Sequence, residues 1–262
     1  MSAAQVHPPA CNSIPERVAS FGWSQMYESL RNYGWASTST PASAKTALAG
    51  GPNTGPVLTF EECCRLRALY ANEAAFRSKV VMARHRFGVG EYKYFSYPLP
   101  QLIKELRESL YAHLAEVANE WSQQLHLDVR YPASHSEFIQ MCHARGQKRP
   151  TPLLLRYERG GYNCMHQDLY GEIYFPMQTV FLLDQPGHDF EGGEFVLVEQ
   201  RPRAQSFAQV IAPKQGEGII FTTRWRPVAG TRGHYRVNIK HGVSTITRGI
   251  RHTLGIVYHD AE

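Results

Sequence analysis

TPLLLRYERGGYNCMHQD, from Thr151 to Asp168, marks the point where the texture of this 262-residue chain changes. Before it, apolar residues recur at helical steps. From Thr151 onward they fall into short β-rich runs, TPLLLRYE, IYFPMQTVFLLD, GEFVLVE, EGIIFTT, YRVNIKHG and IRHTLGIVYH, divided by Gly- and Pro-bearing turns. Evenly spaced strands with turn signals predict a β-sandwich or jelly roll, not a parallel sheet with crossover helices. The same stretch carries His166 and Asp168 two residues apart, and in a strand that spacing points both side chains to one face.

Upstream, Val18, Trp23, Met26, Tyr27 and Leu30 lie at helical spacing and predict a helix over 15–33. A Ser/Thr/Pro/Gly/Ala-rich segment follows, from Ala36 to Pro56, whose composition reads as a linker. Thr59 and Glu62 then form a capping box that starts a helix reaching about Asn72. Met82 to Pro100 has no helical period and reads as strand and loop, whereas Leu106, Leu110, Leu114, Val117 and Trp121 predict a long helix over 102–124. A shorter helix over 137–145 should end near Gly146. The expected architecture is α+β, a double-stranded β-helix (jelly roll) core flanked by N-terminal helices. Residues 1–57 form the N-terminal helix and flexible linker, 58–150 a helical support region and 151–262 the core, with 58–262 as one domain.

Composition agrees with a folded chain: 43% of residues are hydrophobic, 19% charged, and there are 12 Phe, 14 Tyr and 4 Trp. No apolar run is long enough to span a bilayer and the N-terminus lacks a secretory pattern, so a cytoplasmic location is expected. The five cysteines are odd in number, with only a vicinal pair, Cys63–Cys64, and read as reduced thiols. The net charge of +5 is uneven, because residues 200–259 hold ten Lys/Arg against Glu217 alone. Such a field draws polyanions or anionic small molecules, or simply solvates a face.

A third donor for the His166/Asp168 pair is His241. Its strand alternates Val237, Ile239 and His241 against Arg236, Asn238 and Lys240, which turns the imidazole inward. Two histidines and a carboxylate on one face of an octahedron leave three positions open, the arrangement that non-heme Fe(II) needs for a bidentate 2-oxo acid and O2. Zinc prefers tetrahedral closure. Cys164 shares the strand face, but a soft thiolate suits other metals. Ten residues past His241, Arg251 shares a strand face with Thr253, Gly255 and Val257, opposite a bulky face of Ile250, Leu254, Ile256 and Tyr258. Small neighbours leave room for a carboxylate gripped by the planar guanidinium. His85, His113, His126, His143, His188, His252 and His259 read as structural or exposed.

The order Tyr157-x-x-Gly160, His166-x-Asp168, Gly192-Gly193-Glu194 and His241-Gly242-Val243 followed by Gly249-x-Arg251 resembles the prolyl-hydroxylase-type branch of the 2-oxoglutarate/Fe(II)-dependent dioxygenases. The wider wording, including HRFGVGEYKYF, HQDLYG, GGEFVLVEQRPRAQS and RHTLGIVYHDA, is similar to a bacterial oxygenase family described as oxidising damaged nucleic acid. The resemblance implies His166, Asp168 and His241 as iron ligands, Arg251 as the clamp on 2-oxoglutarate, Tyr157 as a phenol near that co-substrate and O2 as oxidant. Where many prolyl hydroxylases offer a tyrosine to the distal carboxylate, this chain offers Leu182, with Gln178 as a substitute on the same strand face. The segment from Arg224 to Lys240 interleaves Trp225, His234 and Tyr235 with five cations, so Arg224, Arg226 and Arg232 are candidate contacts to a polyanion. Damaged single-stranded nucleic acid, a protein side chain and a small molecule stand as substrate classes. A metal-stabilised β-sandwich binding module is the non-enzyme alternative.

Overall fold

The computed structural model describes residues 12–39, 56–168 and 171–262. The leading elements are α1 (Ile14–Ala19), α2 (Trp23–Tyr33), β1 (Trp35–Ser37), α3 (Phe60–Leu69), β2 (Phe76–Val81), β3 (Gly88–Val89), β4 (Glu91–Phe95), α4 (Gln101–Gln124) and α5 (His135–Ala144). The strands of the second half are β5 (Leu153–Glu158), β6 (Tyr162–His166), β7 (Met177–Leu182), β8 (Phe190–Gly192), β9 (Phe195–Gln200), β10 (Phe207–Ile211), β11 (Gly218–Thr222), β12 (Trp225–Gly230), β13 (Gly233–Val243) and β14 (Ile246–Val257). They form two antiparallel sheets. The larger runs β1-β11-β7-β14-β5-β4-β2, with β8 beside the start of β14; the smaller runs β10-β9-β13-β6-β3, with β12 beside the start of β13. Among the described residues no helix is long and apolar enough to cross a membrane.

Two apolar layers hold this arrangement. Phe195, Leu197, Ile211, Ile219, Phe221 and Ile239 fill the space between the sheets. On the other face of the larger sheet, Leu154, Phe181, Leu254 and Ile256 meet the helices, chiefly Leu106, Leu110, Leu114 and Val117 of α4. Each such side chain contributes about 1.5–3 kcal/mol by leaving water. Helix α4 is also fixed by chemistry: Arg107, fully buried, donates to Asp260 (2.8 Å) and to the carbonyls of Val257 (2.9 Å) and His259 (3.0 Å). The end of β14 is thereby locked to the helix layer.

Three expectations need correction. The helix expected over 15–33 is two helices, since Ser13 and Glu16 form a capping box on α1 and the chain breaks at Phe21-Gly22 before α2 restarts. The linker expected from Ala36 begins later, because Trp35–Ser37 pairs with Phe221–Ile219 at the edge of the larger sheet. Gly34, at φ +76°, makes that reversal possible. The rest of the expected linker, 40–55, lies outside the described residues. Ile250 is exposed and does not join Leu254, Ile256 and Tyr258 against the helices. Helices α3, α4 and α5 form where expected, to within a few residues, although α3 stops at Leu69.

Burial, reinforced by the Arg107 charge, holds His135 and His259 neutral, with pKa values drawn down from 6.5 to about 3. The amide of Phe175 donates to His259 Nδ1 (3.1 Å), an acceptor that a proton would remove. A histidine whose pKa is depressed by folding stabilises the fold above its unfolded pKa, and that stability fades as pH falls. In urea titrations, unfolding free energy is expected to decline below about pH 6.5. His259→Asn, which keeps an acceptor for that amide, should shrink the loss between pH 7 and pH 5; an unchanged slope would contradict this reading.

Candidate metal centre

The pairing of β13 with β6 sets His241 and His166 directly opposite each other. Along β13, Val237, Ile239 and His241 are buried while Arg236, Asn238 and Lys240 are exposed, as alternation predicts. The His241 ring packs beside Phe221 (centroids 4.8 Å apart) and Phe195 (6.0 Å). Asp168 follows the end of β6, its Oδ1 3.5 Å from His166 Nε2 and its Oδ2 3.2 Å from His241 Nε2. The donor atoms of His166, Asp168 and His241 all lie within 4.8 Å of one another, and no other His/Cys/Asp/Glu group among the described residues meets that test.

Neighbouring groups aim these donors. The Nδ1–H of His166 donates to the carbonyl of Cys164 (2.7 Å), which leaves Nε2 as the free lone pair. Gln178 Nε2 donates to Asp168 Oδ2 (2.9 Å). Gln167, between the two donors in sequence, donates to the carbonyls of Arg224 and Ile239 (2.9 Å each) and pins the end of β6 to the hairpin of β12 and β13. Burial opposes charge on Asp168, but the neighbouring His166 and His241 hold its carboxyl well below the ordinary carboxylate range. Burial, then repulsion from His166, lowers the pKa of His241. Burial also penalises a charged His166, and Asp168 outweighs it, so that pKa is raised. An ionised carboxylate between two imidazoles, with one side open to a cavity, matches the donor set of a redox-active divalent cation.

That cavity, about 360 Å³, runs from the triad to Arg251, and Thr253, Gly255 and Val257 line it as their shared parity predicts. Arg251 is only 2% exposed, and among the described residues its Nε and Nη1 have no hydrogen-bond partner. It stands opposite Tyr157 across β14 and β5, its guanidinium carbon 5.9 Å from the Tyr157 ring and 5.8 Å from that of Phe190. Burial pulls the Arg251 pKa down and pushes the Tyr157 phenol up. A buried cation with unused donors is costly unless an anion joins it. Gly193 explains the glycine pair: at φ +68°, a Cβ there would sit 2.9 Å from Arg251 Cδ.

Several candidates land elsewhere. Gln178 points its amide at Asp168 and so orients a donor of the triad, whereas the expectation had it substitute beside Arg251. Leu182 lines a small cleft next to Arg251 and supplies no polar group. Arg226 does not face solvent: it is 3% exposed and paired with Glu199 (2.8 Å), its other donor reaching the Arg31 carbonyl. Arg224 stacks on Trp225, 4.1 Å from its ring, and Arg236 takes the same ring at 4.7 Å. Arg232 lies in the turn between β12 and β13, nine residues before His241, roughly 30 Å along the strand. Cys164 contributes its carbonyl, and its thiol stays outside the donor cluster. Hydrogen bonding by Gln167 and Gln178 has no sequence signal, because each depends on which strand lies alongside.

Residues 90–261 match the model of the Oxygenase-NA family, described as "Oxygenase, catalysing oxidative methylation of damaged DNA". An uncharacterized protein of Mycobacterium tuberculosis is 41% identical over 196 residues, 73% of this chain and 84% of that relative. Among solved structures, a prolyl 4-hydroxylase from Phytophthora capsici superposes with a TM-score of 0.52 at 16% identity, covering 98% of this chain and 68% of that one. A Pseudomonas putida prolyl-4-hydroxylase reaches 0.48 at 14% identity, covering 92% and 99%. The Phytophthora capsici enzyme shares a fold with the chain.

Arg226→Ala should destabilise the protein by about 3–5 kcal/mol, since it strands a buried Glu199 carboxylate. It should leave the salt dependence of polyanion binding unchanged, and a lower salt slope in a folded variant would return Arg226 to the binding surface. Gln178→Leu, which removes the donor to Asp168, should weaken divalent-metal affinity about 10–100-fold as measured by competition with a chelator.

Proposed function

We propose, from the premise that this chain belongs to the oxygenase family described as catalysing oxidative methylation of damaged DNA, that His166, Asp168 and His241 hold Fe(II), that Arg251 binds the distal carboxylate of 2-oxoglutarate, and that the substrate is damaged single-stranded nucleic acid. The chain is an Fe(II)- and 2-oxoglutarate-dependent dioxygenase with O2 as oxidant. The observation that carries the site assignment is Arg251, buried in the wall of the cavity that the triad opens onto, with Nε and Nη1 lacking a partner among the described residues. 2-Oxoglutarate would set its distal carboxylate on that cation and turn its 2-oxo acid end toward the triad that would hold the metal.

Fe(II), when bound, couples oxidative decarboxylation of 2-oxoglutarate to succinate and CO2 with insertion of one oxygen atom into a substrate C–H bond. The protein's part is geometric. Cys164 fixes the tautomer of His166, Gln178 orients Asp168, and the phenylalanines beside His241 keep that side of the centre dry. His166 is the most open of the three, with a third of its side chain exposed, which marks the substrate side. On an N-methylated base, hydroxylation of the methyl carbon gives an N-hydroxymethyl group that leaves as formaldehyde. The methyl is thereby removed.

Purified protein loaded with Fe(II) under reducing conditions should release succinate from 2-oxoglutarate, faster with a methylated single-stranded oligonucleotide than with a proline-rich peptide or a metabolite mixture. His166→Ala and Asp168→Ala should abolish both metal binding and turnover. Arg251→Ala should weaken 2-oxoglutarate binding by about 1.5–3 kcal/mol while iron affinity largely survives. Tightly held zinc without 2-oxoglutarate turnover would overturn the site assignment, and coupling to peptide alone would overturn the substrate.

A further inference from the structure

Beside the open His166 lies the turn Met82-Ala83-Arg84-His85-Arg86-Phe87, a short helical turn that leads into β3. Arg86 ends it in the left-handed region, at φ 60°, which an arginine adopts only at a cost of order 1 kcal/mol. The turn is nevertheless firmly tied: Phe87 N donates to the Met82 carbonyl (3.1 Å), and Cys164 N donates to the Phe87 carbonyl (2.9 Å). Through Cys164 the turn is therefore joined to the peptide that orients His166. Arg86 and Phe87 line the same cavity as the triad and Arg251.

The surface of this turn is unusual for a solvated loop. Phe87 is 48% exposed, with Val89 (45%) beside it on β3, and the His85 ring stacks on Phe87 at 5.3 Å and 24°. Arg84, His85 and Arg86 are exposed, and 82–90 contains no acidic residue. A planar apolar stack flanked by two cations is chemically matched to a flat heteroaromatic ring carried between phosphates. A peptide is a poorer match, because β3, the edge strand of the smaller sheet, is two residues long and offers almost no ladder for an added strand.

We propose that this turn is the element that reads the substrate: Phe87, backed by His85, stacks on the base presented to the metal, and Arg84 and Arg86 contact the flanking phosphates. The proposal rests on the nucleic-acid reading above and names the residues that set specificity within it. The basic hairpin of β12 and β13 is then a more distant contributor, since its arginines are stacked on Trp225, buried on Glu199 or far along the strand.

The test is steady-state kinetics of the iron-loaded protein on a single-stranded oligodeoxynucleotide with one N-methylated base, beside an oligonucleotide of equal length and charge with an abasic position there. Phe87→Ala should raise KM for the methylated strand at least tenfold while kcat moves much less, and Phe87→Trp should restore it. The abasic strand, which offers no ring, should bind the wild type and Phe87→Ala equally. Arg84→Ala and Arg86→Ala should each lower the slope of log affinity against log salt by about one unit. Wild-type turnover of the methylated strand with unaltered KM in Phe87→Ala and unaltered salt slopes overturns this inference alone. Absence of wild-type activity on any oligonucleotide, with 2-oxoglutarate turnover intact, removes the nucleic-acid reading and this inference with it.

Discussion

Strand β14 is paired with β8, β5 and β7 in turn along its length, with partners on both edges at Thr253–Gly255, and that pairing places the groups of the cavity relative to one another. On one side it sets Arg251 opposite Tyr157; on the other it sets Val257 opposite Gln178, whose amide reaches Asp168. A slip of one residue would turn Arg251 out to solvent and draw Gln178 away from the metal donors. The slip is prevented at the strand's far end, where Arg107 of α4 grips Asp260 and two carbonyls in a fully buried cluster. Helix packing and cofactor geometry therefore share one strand.

The fates of three buried arginines separate structure from function. Arg107 and Arg226 are each neutralised by a carboxylate at 2.8 Å, and such pairs hold a fold in register without inviting a ligand. Arg251 is as deeply buried, yet two of its nitrogens lack a partner among the described residues and it opens onto a cavity. A fold that buries an unpaired cation gives up stability, and the anion that occupies the site restores it. Asp168 is the complementary case, a half-buried carboxylate kept ionised by the two imidazoles with which it would share a metal.

Much of this was legible in the sequence. The two-residue period turned His166 and Asp168 to one side and His241 inward, and it put Arg251, Thr253, Gly255 and Val257 on the cavity face. A capping box and a three-to-four-residue apolar period located α3 and α4, because both signals are local. Where the local signal was weak the reading erred. A break at Phe21-Gly22 was hidden by continuous apolar spacing, and the three-residue β1 is a strand only because β11 lies beside it.

Side-chain partners across the fold were beyond the sequence altogether. Arg226 read as a surface cation because the segment around it is basic, but Glu199 comes to it from β9, on the far side of β13. Gln178 read as a co-substrate contact from the family resemblance and its strand face; the approach of β7 to the end of β6 brings its amide onto Asp168. The sequence by itself determined the donor types, their order and the face each takes, since chirality and the pleat fix these one residue at a time. Only the tertiary structure decided which charges are satisfied and which remain for a ligand, because hydrogen bonds and desolvation act between groups that the chain brings together from far apart.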